Sequence, residues 1–170
     1  MVIILLADGF EEVEALTPLD IMLRAGIDVK TASIGELMLR GAHGIKVEAD
    51  MLATDVNEDE IEMLVLPGGM PGTTNLDKSP YAERFIDATC KNGGHIAAIC
   101  AAPSILGKRG LLRGKEAICF PGFEIYLDGA SVRPDMPVVT SGSFTTAKDF
   151  RAAYSFGDEL TEIYLRRKDS

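Results

Sequence analysis

The stretch Gly94-His95-Ile96-Ala97-Ala98-Ile99-Cys100-Ala101-Ala102-Pro103 decides the fold. Its apolar run is short, opens after a Gly-Gly pair, and closes on a proline suited to the first turn of a helix. It therefore predicts a fully buried strand over 96–99, central in its sheet, that turns at Cys100 into a short helix over 101–108.

The same grammar repeats outward from this segment. Residues 2–7, VIILLA, are apolar throughout, as a strand covered on both faces must be. A helix is expected over 11–25, stopped by Gly26 and kinked or restarted at Thr17 by Pro18. Residues 28–33 and 63–66 read as strands, and 37–49 as one or two short antiparallel strands around Gly41 and Gly44. Ser79 and Pro80 cap and open a helix that ends at Asn92. Further strands are expected over 116–120 and 138–141, and a closing helix over 145–166. Short apolar runs alternating with amphipathic stretches mark an α/β protein with a mostly parallel sheet. With 170 residues and no linker or repeat, the chain reads as a single domain, 1–170.

Composition narrows the function. Seventeen Lys and Arg against 26 Asp and Glu give a net charge of −9. The only basic cluster, Arg166-Arg167-Lys168, reads as a solvated helix end, so no nucleic-acid partner is expected. No apolar run approaches the roughly 18 residues of a membrane span. The run over 2–7 lacks the basic flank of a secretory signal, and the reading is cytoplasmic. Cys90, Cys100 and Cys119 have no CxxC spacing, which argues against a disulfide framework and a zinc site. A free thiol remains.

Ligands of parallel sheets bind beyond the carboxyl ends of the strands, which singles out segments 8–14, 67–72 and 100–104. Cys100, at a strand-to-helix junction, has the geometry of a nucleophile elbow, and a helix N-terminus favours its thiolate. The plainer alternative is a small core residue. Gly68-Gly69 after the strand 63–66 lets backbone N–H groups approach an anion, and the Gly69 and Ala101 N–H groups could form an oxyanion hole. A Pro-Gly turn accounts for the same residues without a function. Phe10, Glu14, Pro18, Ile21 and Ala25 share one helical face, which places the Glu14 carboxyl among apolar neighbours and raises its pKa. A rotated helix would instead leave Glu14 in solvent. Glu11 and Glu12 read as first-turn residues favoured by the helix dipole. His95 starts the strand that ends at Ile99, too far to serve Cys100 as a base. His43, in the Gly-rich hairpin, reaches the site only by a fold-back or from another subunit. Met70, beside Gly69, is a candidate pocket lining. Cys90 and Cys119 read as structural.

Three motifs in order resemble the ThiJ/PfpI superfamily, in its DJ-one branch. Ala7-Asp8-Gly9-Phe10-Glu11-Glu12-Val13-Glu14 is similar to its first-helix motif, Leu66-Pro67-Gly68-Gly69 to its oxyanion turn, and Ala97–Pro103 to its nucleophile elbow. Thr140-Ser141-Gly142 onward resembles its last strand-to-helix segment. Arg24-Ala25-Gly26 fits the end of its first helix, which adds Arg24 to the pocket candidates. The resemblance implies a flavodoxin-like three-layer sandwich of the class I glutamine amidotransferase-like type, usually a homodimer. It implies a reactive Cys100 thiolate hydrogen-bonded to a protonated Glu14, and glutathione-independent action on α-oxoaldehydes without cofactor or metal. The protease-like branch carries a histidine where this chain has Ala101, which disfavours a peptidase. A histidine that some members place near the site corresponds to Phe120.

The leading expectation is therefore a thiol-dependent glyoxalase, or deglycase, that converts small α-oxoaldehydes such as methylglyoxal to hydroxy acids. The alternative is a redox-sensing stress-response or chaperone protein in which Cys100 is oxidised to sulfinate without turnover.

Overall fold

The computed structural model describes residues 1–169. In chain order the elements are β1 (Val2–Leu6), α1 (Glu12–Arg24), β2 (Val29–Ser33), β3 (Met38–Arg40), β4 (Lys46–Glu48), β5 (Met51–Leu52), β6 (Met63–Leu66), α2 (Gly72–Asp77) and α3 (Pro80–Lys91). They continue with β7 (His95–Ile99), α4 (Pro103–Lys108), β8 (Glu116–Ala117), β9 (Ser131–Val132), β10 (Val138–Ser141), β11 (Phe144–Ala147) and α5 (Ala153–Lys168). Seven strands form the main sheet in the order β10-β11-β7-β6-β1-β2-β5, parallel except for the β10–β11 hairpin at one edge. β3 and β4 form a separate antiparallel hairpin.

Strand residues alternate between two cores. Val2, Ile4, Leu6, Met63, Val65, Ala97 and Ile99 pack on the face that carries α1 and α5. Ile3, Leu5, Leu64, Leu66, Ile96 and Ala98 pack on the opposite face with Phe85 and Ile86 of α3 and Ile105 and Leu106 of α4. Both faces are covered, which is why β1 and β6 are apolar at every position. The result is a flavodoxin-like α/β sandwich: the strand pattern predicts the α/β class and the mostly parallel sheet, and the family resemblance the flavodoxin-like arrangement. Gly157 brings α5 close against α1: an added Cβ would lie 2.7 Å from Ile21 Cδ1 and 3.0 Å from the Pro18 Cα. That contact fixes the helix bearing Glu14.

The structure corrects several expectations. β6, not β7, is the middle strand of the seven. α1 runs unbroken through Pro18. Its buried stripe is Glu14, Ala15, Pro18 and Met22, while Ala25 is exposed. The strand expected over 116–120 shrinks to β8, which leaves the main sheet and pairs with β9. The helix expected from residue 145 starts at Ala153, because residues 144–147 form β11 beside β7. Two β-branched threonines favour that strand, and its neighbours satisfy their hydroxyls. Thr145 Oγ1 lies 2.9 Å from His95 Nε2, and Thr146 Oγ1 accepts from the Ile118 N–H at 2.9 Å. Helix α2 had no sequence signal of its own.

Candidate active site

β7 delivers Cys100 to the carboxyl edge of the sheet, and the chain must turn there at once. Cys100 takes φ +66°, the one non-glycine residue with positive φ among those described. A side chain in this region costs about 1–3 kcal/mol and persists only where the surroundings enforce it. Here two hydrogen bonds do so: the Cys100 N–H donates to Ala147 O at 2.9 Å, and its carbonyl accepts from the Phe120 N–H at 2.7 Å. The Ala101 N–H in turn bonds the Cys100 sulfur, and the Ser104 hydroxyl donates to Ala101 O at 2.6 Å.

α1 delivers the second group. Glu14 is 1% exposed, so its helix face is the packed one. Its Oε2 accepts from the Gly68 N–H at 2.9 Å, and its carboxyl is hydrogen-bonded to the Cys100 thiol. Burial, helped by the charges of Glu11 and Asp149, pushes the Glu14 carboxyl up to about 7 against the pull of those two hydrogen bonds. Burial also pushes the Cys100 thiol up, with the Glu14 charge adding and the Ala101 N–H opposing. The elbow N–H of Ala101 lowers the thiol pKa, but burial and the Glu14 charge outweigh it. The two groups titrate as a pair. The first proton leaves near neutrality, and the second is retained because its loss would set two buried negative charges side by side. The state between holds one proton, either as thiol and carboxylate or as thiolate and carboxylic acid.

Only glycine fits at position 68. A Cβ there would lie 2.5 Å from Glu14 Oε2 and 2.7 Å from Cys100 Cβ. The Gly68 N–H is thus committed to Glu14, so this residue positions the carboxyl instead of joining an oxyanion hole. Gly69 has φ +94°, and its carbonyl accepts from the Thr73 N–H at 2.8 Å. Phe120 lies beside the elbow through its N–H, its ring 42% exposed and edge-on to Phe123. Met70 is exposed on the rim of a cleft that also includes Thr73 and Ser104.

The remaining candidates separate. His43 folds back onto the start of α1, with Nδ1 3.0 Å from Glu12 Oε2 and 3.3 Å from Glu11 Oε2. Glu12 Oε1 accepts from the His43 N–H at 2.9 Å and the Ile45 N–H at 3.3 Å. Glu12 is therefore a first-turn residue, as expected, that also serves as a buried anchor for the β3–β4 hairpin. Burial raises its carboxyl pKa, but these hydrogen bonds outweigh that and hold it low, while the Glu12 bond raises His43. Glu11, Glu12 and His43 are the one group among the described residues whose ligand atoms, all within 4.8 Å, suit a metal ion. With Val13, Ile45 and Phe150 they line a cleft of about 410 Å³. The Gly41 and Gly44 pattern marked the hairpin, but nothing local marked its partner. His95 is buried at the far end of β7, held neutral by burial with a pKa of about 4. Arg24 ends α1, exposed and paired with Asp20 at 2.8 Å, so within this chain it does not meet Cys100. Cys119 is buried, Cys90 is exposed, and all three cysteines are free.

A cysteine strained above a parallel sheet and bonded to a buried carboxyl defines a class: α/β sandwiches built around a nucleophile elbow. Residues 1–163 match the DJ-1/PfpI family, and the chain belongs to that family. It is 32% identical to the Drosophila melanogaster protein dj-1beta, over 94% of this chain and 87% of that protein. It is 34% identical to a deglycase of Pyrococcus abyssi, over 95% and 98%. Against DJ-1 homolog B of Arabidopsis thaliana the identity is 32%, and this chain spans 39% of that longer protein. Among solved structures, a cysteine-to-alanine variant of a DJ-1 superfamily protein from Salmonella typhimurium is similar at TM-score 0.89 and 31% identity. That match covers 96% of this chain and 89% of the other. No described helix is long and apolar enough to cross a membrane.

Proposed function

We propose that the chain is a cofactor-independent, thiol-dependent glyoxalase of 2-oxoaldehydes, with deglycation of their adducts as a related activity. The observation that carries this reading is the pairing of the buried Glu14 carboxyl, held near neutrality, with the half-buried, strained Cys100 thiol. Relatives named deglycases in Pyrococcus and a glutathione-independent glyoxalase in Caenorhabditis elegans, the latter 27% identical, agree with it.

In the one-proton state the Cys100 thiolate adds to the aldehyde carbon and forms a hemithioacetal. The Gly69 and Ala101 N–H groups steady the oxyanion. Glu14, protonated in that state, gives its proton to the oxyanion, and the carboxylate left behind takes the proton from C1 and returns one to C2 through an enediol. C1 becomes a thioester as the C2 ketone becomes an alcohol, and water releases the hydroxy acid and the thiol. Oxidation at one carbon balances reduction at the next, so no external oxidant is needed. One carboxyl acts as both base and acid, which suits a site with Phe120 at the position where some members of the family carry a histidine. A homodimer belongs to the same reading, and sedimentation velocity checks it.

The test is methylglyoxal consumption and lactate formation without glutathione or metal, in wild type, Cys100→Ser and Glu14→Ala, each shown to be folded. Loss of turnover in both variants supports both roles. Turnover that survives Cys100→Ser rejects the thiol mechanism. A folded wild type with no turnover shifts the reading to a redox-responsive thiol.

A further inference from the structure

Two carboxylates that the reaction does not use stand on either side of Cys100. In the order of the sheet, β7 lies between β6 and β11. On the β6 side, the Glu11 N–H donates to Gly68 O at 2.9 Å, and a Cβ at Gly69 would strike the Glu11 nitrogen. Glu11 is thus set against the turn that touches the thiol. On the β11 side, Ala147 O accepts the Cys100 N–H at 2.9 Å, and Asp149 follows just beyond Ala147. Both charges reach the reacting pair: Glu11 and Asp149 push Glu14 up, and Asp149 also pushes Cys100 up.

Local structure accounts for little of this negative charge. Glu11 holds the N-cap position of α1, yet its side chain caps no N–H. That position ordinarily favours Ser, Thr, Asp or Asn, whose short side chains reach back to the helix. Its ion-pair partner is His43 at 3.3 Å, which lies closer to Glu12 at 3.0 Å, so one imidazole serves two carboxylates. Asp149 accepts from the Arg151 N–H at 2.9 Å, and an asparagine could do the same. The Arg151 guanidinium is 3.7 Å from Asp149, largely exposed, and stacked on the Phe150 ring. Lys148 turns away and donates to Pro134 O at 3.0 Å. The Glu11 and Asp149 side chains are only 15% and 18% exposed, so water and salt screen them less than surface charges.

A substrate brings its own charge into this field. A phosphate or carboxylate on the carbon beyond the ketone would meet Glu11, Asp149 and the negative charge that the thiol and Glu14 share. Like charges a few ångströms apart in a partly buried site repel strongly. The methyl group of methylglyoxal meets no such penalty, and a cationic tail is attracted.

We infer that Glu11 and Asp149 are specificity-determining residues, which admit 2-oxoaldehydes with neutral or cationic tails and turn away phosphorylated or carboxylated ones. The steps at C1 and C2 are those already given, and the tail is unchanged. The inference rests on the glyoxalase reading for its substrates but not for its field, which any reagent that enters at Cys100 must cross.

The experiment reads the field first without turnover. Two methanethiosulfonates are used, one with a trimethylammonium-ethyl tail and one with a sulfonatoethyl tail. The Cys100 thiolate attacks the sulfur that bears the tail, a disulfide forms, and methanesulfinate leaves. Mass spectrometry of the Cys100 peptide separates this rate from that of Cys90. Both reagents meet the same thiolate, so their rate ratio cancels any change in its pKa. Relative to free cysteine, the cation should outpace the anion at least about tenfold in wild type. Glu11→Gln and Asp149→Asn should each narrow that bias about three- to tenfold. The ratio of kcat/KM for methylglyoxal to that for its 3-phosphorylated analogue should fall by a similar factor in each variant. A bias that neither folded variant narrows, or a wild type that favours the anion, overturns the inference. So does a wild type that processes the phosphorylated aldehyde as efficiently as methylglyoxal. A narrowed bias in a protein that turns over neither aldehyde supports the field and rejects the glyoxalase reading alone.

Discussion

Replacing Gly68 by alanine perturbs the thiol–carboxyl pair without touching either reacting group. The added methyl would lie 2.5 Å from Glu14 Oε2, 2.7 Å from Cys100 Cβ and 2.9 Å from Ile99 O, whereas ordinary contact starts at 3.4 Å. Gly68 does not have positive φ, so the effect is steric and not conformational. Ile99 O belongs to the backbone at the end of a buried strand and cannot retreat, so the carboxyl and the elbow must move by about 1 Å. Overpacking of this size costs about 1–3 kcal/mol of stability. A displacement of about 1 Å between reacting groups costs on the order of a hundredfold in rate. The Glu14 carboxyl also loses an N–H donor that holds its pKa down, so its titration should move above 7. Urea denaturation, kcat/KM for methylglyoxal and its pH profile report the three effects separately. An alanine variant within about 0.5 kcal/mol and twofold of wild type, with an unshifted profile, would refute the argument that the glycine positions the pair.

Other expectations follow from the same site. Glu14 holds its proton to about 7 in the folded chain against an ordinary 4.5, so over that interval the folded state binds more protons than the unfolded one. The Glu14 contribution to stability should therefore fall as pH rises from about 4.5 to about 7, by roughly 3 kcal/mol, against the opposite slope of His95, whose folded pKa of about 4 lies below its ordinary 6.5. Glu14→Gln should remove that slope, and the stability difference between variant and wild type, measured in urea, should grow through this window and then level off. A difference constant with pH would contradict the raised carboxyl. Activity should rise through pH 7 as the one-proton pair accumulates, and a kcat/KM profile flat from pH 6 to about 8 would speak against shared titration. At position 100 the positive φ penalises any side chain, so Cys100→Gly should be about 1 kcal/mol more stable than Cys100→Ala. Equal denaturation midpoints would show that the elbow is not strained.

Much of the site was legible because its parts are local. The glycines after β6, the proline after Cys100 and the carboxyl on the packed stripe of α1 each follow from a few neighbouring residues and the periodicity of one element. β1, β6 and β7 announce themselves by unbroken apolar runs, since both faces of the sheet are covered. The same local logic failed where a distant element supplies the stabilisation. Residues 145–147 read as the start of a helix because the apolar positions beyond them have helical spacing. They join β11 because β7 pairs with them and His95 and Ile118 meet their hydroxyls. β8 leaves the main sheet for a similar reason, its pairing partner being β9.

The sequence by itself determined the α/β class, the order of the elements around the elbow, and the identities of Cys100 and Glu14. Those properties depend on residue type and short spacing. Only the tertiary structure decided how the two groups behave. The carboxyl of Glu14 reaches about 7 because helix packing buries it near the charges of Glu11 and Asp149, against the pull of the Cys100 and Gly68 hydrogen bonds. The thiol is raised and not lowered because folding buries it and sets that carboxyl against it. Glu12 anchors a hairpin 31 residues away, Gly68 turns from an oxyanion donor into a positioning residue, and Arg24 lies away from the pocket. A pKa and a hydrogen-bond partner are set by the atoms within a few ångströms, and folding, not sequence adjacency, chooses those atoms.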